Sequence, residues 1–191
     1  MINLLIKIPL IKKSLIITFS WKIIPTREVW TGGFDSRTED GMYVIFLDYD
    51  EIKWEILLDD LRNLIERFKL SHFYVFETAP DSYHAICLDK FPLKYAQQII
   101  DYSCADYAFK RGAYLDMSRC WTLRTMKDYR PKPKYIGMVE SPYCEYEQSS
   151  AHAEFLRRYY GVPVELKKPD NLEHIWFEKY MTKRKAKRGG E

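Results

Sequence analysis

The sequence has little of several features that would assign a chain to a specialised class. Its 191 residues include only 4 cysteines, widely spaced and without a Cys-x-x-Cys pair, so neither a zinc-binding motif nor a disulfide framework is indicated. The apolar stretch at residues 1–19 is interrupted by three lysines and Pro9, well short of the roughly 20 apolar residues that a membrane span needs. We therefore expect an intracellular, cytoplasmic protein with no membrane segment, and we interpret the N-terminal stretch as strand material packed on the core.

A strong excess of charge of one sign is also missing. The 30 Lys and Arg residues against 27 Asp and Glu leave a net charge of +3, so the overall charge does not itself indicate a nucleic-acid partner. Basic residues are instead concentrated in the tail, at Lys183, Arg184, Lys185, Lys187 and Arg188. This tail fits either a disordered, solubilising end or an arm that binds phosphates. We expect one domain over residues 1–178, followed by the basic tail over residues 179–191.

Hydrophobic patterns predict an alternation of strands and helices between residues 42 and 126. A buried strand (42–49), an amphipathic helix (53–69), a hairpin (72–78 and 82–88), a second helix (92–110) that ends at Gly112, and extended segments (113–117 and 120–126) follow in that order. A further strand (135–140) and a third helix (147–160) complete the pattern. This order predicts an α+β fold of the ferredoxin-like, split βαβ type, shared by RNA-recognition modules, with an antiparallel sheet, flanking helices and small N- and C-terminal additions.

Side-chain alternation predicts where polar residues of this sheet meet. Asp48 and Asp50 share one face of the first core strand, and Ser82 and His84 share one face of the third. In a ferredoxin-like sheet the first strand lies between the third and the fourth, so Asp116 can join them from the fourth strand. If helices cover the opposite face, all of these side chains project from an open side of the sheet.

Several carboxylates on one small patch repel one another unless a cation lies among them. Oxygen ligands suit Mg²⁺ or Mn²⁺, and two such ions can bind the attacking and leaving oxygens of a phosphoryl transfer. An isolated Asp-x-Asp is more often a strand end that runs into a helix. The ordered combination of Asp48, Asp50, His84 and Asp116 favours a metal site.

Three short motifs carry a family resemblance. FLDYD (46–50) resembles the hhhDxD first motif of archaeo-eukaryotic primases and primase-polymerases, SYH (82–84) their small-x-His second motif, and YLD (114–116) their third. MSRCWTLRT (117–125) is similar to the Arg-containing segment that follows the third motif in the primase-polymerase branch. The resemblance covers about residues 42–125.

The resemblance implies a template-dependent nucleotidyltransferase, a DNA primase or polymerase, that uses two metal ions. The residues implied are Asp48, Asp50 and Asp116 as catalytic metal ligands (Mg²⁺ or Mn²⁺), and Ser82, His84, Arg119 and Arg124 as nucleotide-binding residues. The implied partners are a single-stranded or primed DNA template, an NTP or dNTP, and a helicase or another replication subunit. The family usually has a longer α/β module before its first motif, and it can be virus- or plasmid-encoded.

Two alternatives use a similar strand order. An RNA-recognition-type binding module would stack bases on the open sheet face, although the sequence has no KGFGFVxF-like segment. A rolling-circle replication initiator needs a His-x-His pair with a nucleophilic tyrosine. Tyr102 or Tyr107 could supply the tyrosine, but Ala85 and Ile86 follow His84, so the pair is missing.

Two other metal-dependent phosphoryl-transfer families fit less well. Haloacid-dehalogenase-like phosphatases expect Thr or Val two positions after the second Asp of DxD, where this chain has Ile52. Polymerase-β-type nucleotidyltransferases need a Gly-Ser pair upstream of their carboxylates, which Gly32 and Gly33 do not supply.

Overall fold

A computed structural model describes residues 2–9, 14–21, 31–115, 120–127 and 131–167. Over these ranges the protein is α+β, with antiparallel sheets and flanking helices. Asp116, Arg119 and the basic tail at 179–191 lie outside the described residues.

The described elements alternate much as the hydrophobic patterns predict. The strands are β1 (Ile2–Pro9), β2 (Ser14–Trp21), β3 (Thr31–Asp35), β4 (Tyr43–Tyr49), β5 (Phe73–Ala79), β6 (Ser82–Phe91), β7 (Thr122–Lys127) and β8 (Lys134–Val139). The helices are α1 (Trp54–Phe68), α2 (Leu93–Tyr102), α3 (Tyr107–Leu115) and α4 (Ser150–Phe155), and α4 continues as a π-helical turn, Leu156–Tyr160. None of the described helices is long and apolar enough to cross a membrane.

The main sheet has four antiparallel strands in the order β4-β6-β5-β8, and β1 pairs with β2 and β3 with β7 in separate two-stranded sheets. The β5–β6 hairpin turns at Asp81, which has a left-handed conformation (φ 57°). β6 lies between β4 and β5, so Asp48, His84 and Phe76 are cross-strand neighbours in one row. This register brings the first and second sequence motifs side by side.

One face of the sheet is covered by α1 and α2, as the amphipathic patterns predict. The buried stripe of α1 includes Leu57, Leu61 and Leu64, each without exposed surface. A buried hydrogen bond links the sheet to this layer: the Tyr49 hydroxyl donates to the Asp60 carboxylate at 2.7 Å. Such a bond satisfies a phenol that would otherwise be buried without a partner.

The region predicted as a helix at 92–110 and a strand at 113–117 is different in the structure. α2 ends at Tyr102, where the Ser103 hydroxyl donates to the Ile100 carbonyl at 2.7 Å. Serine hydroxyls compete with helical hydrogen bonds in this way. A new helix, α3, then begins beside Asp106, whose carboxylate accepts from the Phe109 N–H at 3.0 Å. α3 continues through Gly112, so the prediction of extended structure is wrong for residues 113–115.

The second extended segment, predicted at 120–126, forms a strand but has a different partner. β7 forms close to where it was expected, but it pairs with β3 rather than with β4. Gly33 allows this pairing, because a Cβ there would lie 2.8 Å from the Thr122 methyl and 3.0 Å from the Leu123 carbonyl oxygen. The segment directly after β3 is bonded to β4: the Val44 N–H donates to the Ser36 carbonyl at 2.9 Å, and Arg37 and Tyr43 form an isolated bridge.

The sheet face expected to be open is largely covered by a second layer. Phe34 of β3 contacts Phe46 at a ring-centroid distance of 4.7 Å and stacks on Phe155 of α4 at 4.4 Å. Farther along the sheet, Tyr160 lies 4.6 Å from Phe76. Phe46 and Phe76 are consequently buried. The expectation of an open face is wrong at these positions, and the polar end of β4 lies at the margin of a closed layer.

Candidate functional site

The centre of the site is a cross-strand pair at the end of β4. Asp48 and His84 are register partners on β4 and β6, and Nε2 of His84 lies 3.4 Å from Oδ1 of Asp48. Their side chains are only 6% and 15% exposed, for His84 and Asp48 respectively. The pairing follows directly from the register between β4 and β6, which the first two motifs alone could not specify.

The surroundings of Asp48 disfavour a negative charge. Burial is the largest cause that raises its pKa to about 6, and the charges of Asp50 and Asp106 raise it further, while the positive charge of Arg124 opposes them. Among the described residues its one close polar side-chain contact is His84, and no hydrogen bond lowers its pKa. Asp48 is thus a largely buried carboxyl group near two other carboxylates, an arrangement that a bound cation would relieve.

His84 is held in its neutral form. Burial lowers its pKa to about 3, and the nearby charge of Arg124 contributes in the same direction. The contact with Asp48 is therefore between a carboxyl group and a neutral ring at physiological pH, not an ion pair. A neutral imidazole keeps one N–H donor and one acceptor nitrogen, so His84 can donate a hydrogen bond to a ligand oxygen without carrying charge.

Arg124 reaches this group from an unexpected direction. It is exposed on β7 and is the register partner of Gly33 on β3, so it approaches from the second layer and not from a strand paired with β4. Its charge acts on both Asp48 and His84. The sequence-based selection of Arg124 as an anion-contacting residue is compatible with this position.

Of the other residues predicted from the sequence, the structure describes Asp50 and Ser82. Asp50 follows β4 and is exposed, and Glu51 after it has a left-handed conformation (φ 55°), so the chain turns away directly beyond the DxD motif. Ser82 begins β6, two residues before His84, and is buried. The structure thus groups Asp48, Asp50, His84 and Arg124. Asp116 and Arg119 lie outside the described residues.

Sequence reasoning missed Asp106. Its backbone N–H donates to the Asp48 carbonyl at 2.7 Å, and its half-buried side chain adds to the negative potential at Asp48. The same carboxylate caps α3, because it accepts from the Phe109 N–H. The signal was present as an Asp placed directly before a helix start, a preferred capping residue. Treating residues 92–110 as one helix placed Asp106 in a helix interior.

The carboxylate oxygens around Asp48 are ligand atoms that suit a hard cation. The described residues alone, however, do not form a complete metal site. Within residues 31–115, 120–127 and 131–167, no group of three or more His, Cys, Asp or Glu side chains is arranged to hold a metal ion. Carboxylate oxygens are the ligands that Mg²⁺ and Mn²⁺ prefer. Asp48 and Asp50 can supply such oxygens, and the third carboxylate implied by the motifs, Asp116, lies outside the described residues.

Comparison of the chain with models of protein families, with curated proteins and with solved structures finds no match. The interpretation of the site therefore depends on its motifs and its geometry.

Proposed function

We propose that the protein is a template-dependent nucleotidyltransferase of the primase-polymerase type, which joins nucleotides on a nucleic-acid template with the help of divalent cations. The observation that carries this proposal is the cross-strand pair of Asp48 and His84, with the charges of Asp50, Asp106 and Arg124 around it. The group combines acidic oxygens for cations with donors for phosphate, which are the two requirements of phosphoryl transfer.

In this proposal Asp48 and Asp50 hold Mg²⁺ or Mn²⁺ together with Asp116. Bound cations of this kind neutralise the developing charge on phosphate oxygens and orient the attacking group. Asp48 supports the assignment because burial and neighbouring acids raise its pKa. A carboxyl group placed among like charges without compensating hydrogen bonds gains more from a cation than a well-paired one does.

His84 and Arg124 bind the phosphates of the incoming nucleotide. The neutral imidazole of His84 donates one hydrogen bond, and Arg124 supplies a permanent positive charge from β7. A guanidinium forms paired hydrogen bonds with phosphate oxygens. Ser82, at the start of β6, and Arg119 complete the proposed nucleotide-binding set. The partners are a single-stranded or primed DNA template, an NTP or dNTP, and a helicase or other replication subunit.

The strand order gives partial support to the ferredoxin-like relationship. β4, α1, β5 and β6 follow one another, and β6 lies between β4 and β5, which is the arrangement of the first three strands of a split βαβ fold. β7 departs from the pattern because it pairs with β3. We propose a ferredoxin-like core in which the second half has been rearranged.

The covered sheet face argues against the RNA-recognition-type alternative. A module of this type requires exposed aromatic rings on the sheet face that carries Phe46 and Phe76. Both rings are instead buried under β3, α4 and the π-helical turn. The end of β4, in contrast, remains near the surface through Asp50.

Primer extension with labelled dNTPs or NTPs, with and without Mn²⁺, tests the proposal. The wild-type protein should incorporate nucleotides only with a divalent cation, and Asp48→Asn should lower the rate by about 100-fold or more, since it removes charge from a ligand position. Asp59→Asn is a matched control, because Asp59 is an exposed carboxylate of α1, 75% exposed, and it should retain the wild-type rate. A wild-type protein without metal-dependent incorporation on any primed or unprimed template would refute the proposal.

A further inference from the structure

A column of stacked aromatic rings runs through the second layer to the surface. Phe34 stacks on Phe155 at 4.4 Å, and Phe155 stacks on Tyr159 at 5.1 Å with an interplanar angle of 13°. The outermost ring, Tyr159, is half-buried, and Nζ of Lys132 lies 3.8 Å from its centroid. The surface end of the column is thus an aromatic ring with a cation on it.

Tyr160 widens this surface. It meets Tyr159 edge-to-face at 4.9 Å, and the same Lys132 ammonium lies 4.9 Å from its centroid. Tyr160 also lies 4.6 Å from Phe76, which is the register partner of His84. A row of side chains therefore connects the surface end of the π-helical turn with the candidate site.

A second connection runs through β7. The Tyr159 hydroxyl donates to the Thr125 carbonyl at 3.4 Å, and Thr125 follows Arg124 in the strand. Arg124 is exposed and its charge acts on Asp48 and His84. The surface end of the aromatic column and the candidate site thus adjoin the same stretch of β7.

The charge of this surface favours an anionic partner. Lys132 and Lys134 are exposed, and the Arg158 side chain is 82% exposed. Glu154 pairs with Arg158 at 2.5 Å and with Arg157 at 3.6 Å, so its carboxylate offsets one arginine charge. Glu77 is the register partner of Lys134 on β5. Lys132 and the second arginine charge remain to attract phosphate.

We propose that Lys132, Arg158, Tyr159 and Tyr160, which we call the basic-aromatic face, bind a single-stranded nucleic acid and lead it toward Arg124. This inference extends the proposed function, because it identifies the surface that holds the template strand. Single strands are bound by cations that contact the backbone and by aromatic rings on which bases stack. Both kinds of group are present on this face.

The Lys132 side chain is expected to change position when nucleic acid binds. Without nucleic acid its ammonium lies on the Tyr159 ring and donates a hydrogen bond to the Tyr159 carbonyl. Its flexible stem can carry the charge to a backbone phosphate, which leaves the outer ring face of Tyr159 to a base. The exchange loses the exposed cation–π contacts with Tyr159 and Tyr160 and the hydrogen bond to the Tyr159 carbonyl. It gains a stacked base and a phosphate contact.

Fluorescence anisotropy of a labelled oligothymidylate, measured over a range of salt concentrations without nucleotide or divalent cation, tests the face independently of catalysis. Lys132→Gln with Arg158→Gln should weaken binding by about 10-fold or more and reduce the log–log salt slope by about 0.7 for each lost phosphate contact. Both side chains are exposed, so the double variant should keep the wild-type melting temperature. Tyr159→Leu should weaken binding with little change of slope, and Tyr159→Phe, which keeps the ring, should bind as the wild type does.

Lys94→Gln provides the matched control, because Lys94 is exposed on α2, the helix that covers the opposite face of the sheet. It should leave affinity and slope unchanged. Equal affinities for the wild type and the Lys132→Gln, Arg158→Gln double variant would overturn the inference and assign Lys132 to closing the π-helical turn. The two proposals fail separately: the Asp48→Asn variant should still bind the oligonucleotide, and a protein that binds through this face without incorporating nucleotides would refute only the proposed activity.

Discussion

Two largely buried carboxyl groups lie near opposite ends of β6, in opposite kinds of environment. Near one end, beside His84, is Asp48 of β4, and near the other end is Asp89. Burial raises the pKa of each to about 6. Asp89, however, accepts a hydrogen bond from the Ser71 N–H at 2.7 Å and one from the Gln148 side chain at 3.4 Å. These hydrogen bonds oppose the effect of burial on its pKa.

Asp48 has neighbouring acids where Asp89 has donors. Its charge is opposed by Asp50 and Asp106 and is partly compensated by Arg124. Burial alone therefore does not distinguish a structural carboxyl group from a functional one. What distinguishes them is whether the surrounding groups already satisfy the charge, because an unsatisfied buried carboxylate costs stability that only a ligand or a function explains.

The largest expected effect on stability is at Asp89. Asp89→Ala removes the acceptor of the buried Ser71 N–H, so the free energy of unfolding should fall by about 2–4 kcal/mol near neutral pH. Urea denaturation measures this change. Asp89→Asn keeps one acceptor oxygen and should lose less. An Asp89→Ala variant as stable as the wild type would show that the hydrogen bonds to Asp89 do not hold this end of the sheet.

At Asp48, a substitution is expected to raise the free energy of unfolding instead of lowering it. In the metal-free protein near neutral pH, Asp48→Asn should raise the free energy of unfolding by about 1–3 kcal/mol, because it removes a charge whose pKa is raised by about two units. The unfolded chain ionises near 3.8 and the folded protein near 6, so the penalty is complete above pH 6. The advantage of the variant should therefore disappear as the pH falls from about 6 to below 4.

Urea denaturation of both proteins over this pH range checks the sign. The exposed Asp59→Asn variant should show no such dependence. A destabilised Asp48→Asn variant would show that Asp48, like Asp89, is a structural carboxyl group. That result would remove the main support for a cation site.

The smallest expected effect concerns the protonation of His84. Because burial lowers its pKa to about 3, its imidazole resonances should not shift between about pH 5 and pH 8, where an ordinary histidine titrates. NMR of ¹³C- or ¹⁵N-labelled protein measures this directly, with assignment by His84→Gln. Titration of His84 near pH 6.5 would show that the pair with Asp48 is a charged one, and the neutral-donor role would then be wrong.

The parts of the fold that the sequence predicts well are those with strong local patterns. The strand before the DxD motif, the amphipathic helix α1 and the β5–β6 hairpin were all expected close to their observed bounds. Each has a dense apolar stripe or a clear turn, so its structure depends little on distant contacts. The same patterns placed Asp48 and His84 on one face, and the structure shows them as register partners.

The parts that failed depend on long-range contacts or on single hydroxyl and carboxyl groups. β7 pairs with β3, a strand that begins with Thr31, Gly32 and Gly33 and shows no strand pattern of its own. The break between α2 and α3 depends on Ser103 and Asp106, while the apolar periodicity continues across it. Local propensity could not show that these polar groups would overcome that periodicity.

The two edges of the four-stranded sheet differ in how well they are protected. The outer edge of β4 is occupied at one end by the Val44–Ser36 hydrogen bond and at the other by the Asp106 N–H on the Asp48 carbonyl. β8, in the part of the chain that the structure describes, pairs only with β5, and it exposes 37% of Ile136 and 38% of Met138. Unpaired edges with apolar side chains are templates for strand addition between molecules. Aggregation of a partly unfolded population should therefore begin along β8, at the edge of the sheet opposite the candidate site.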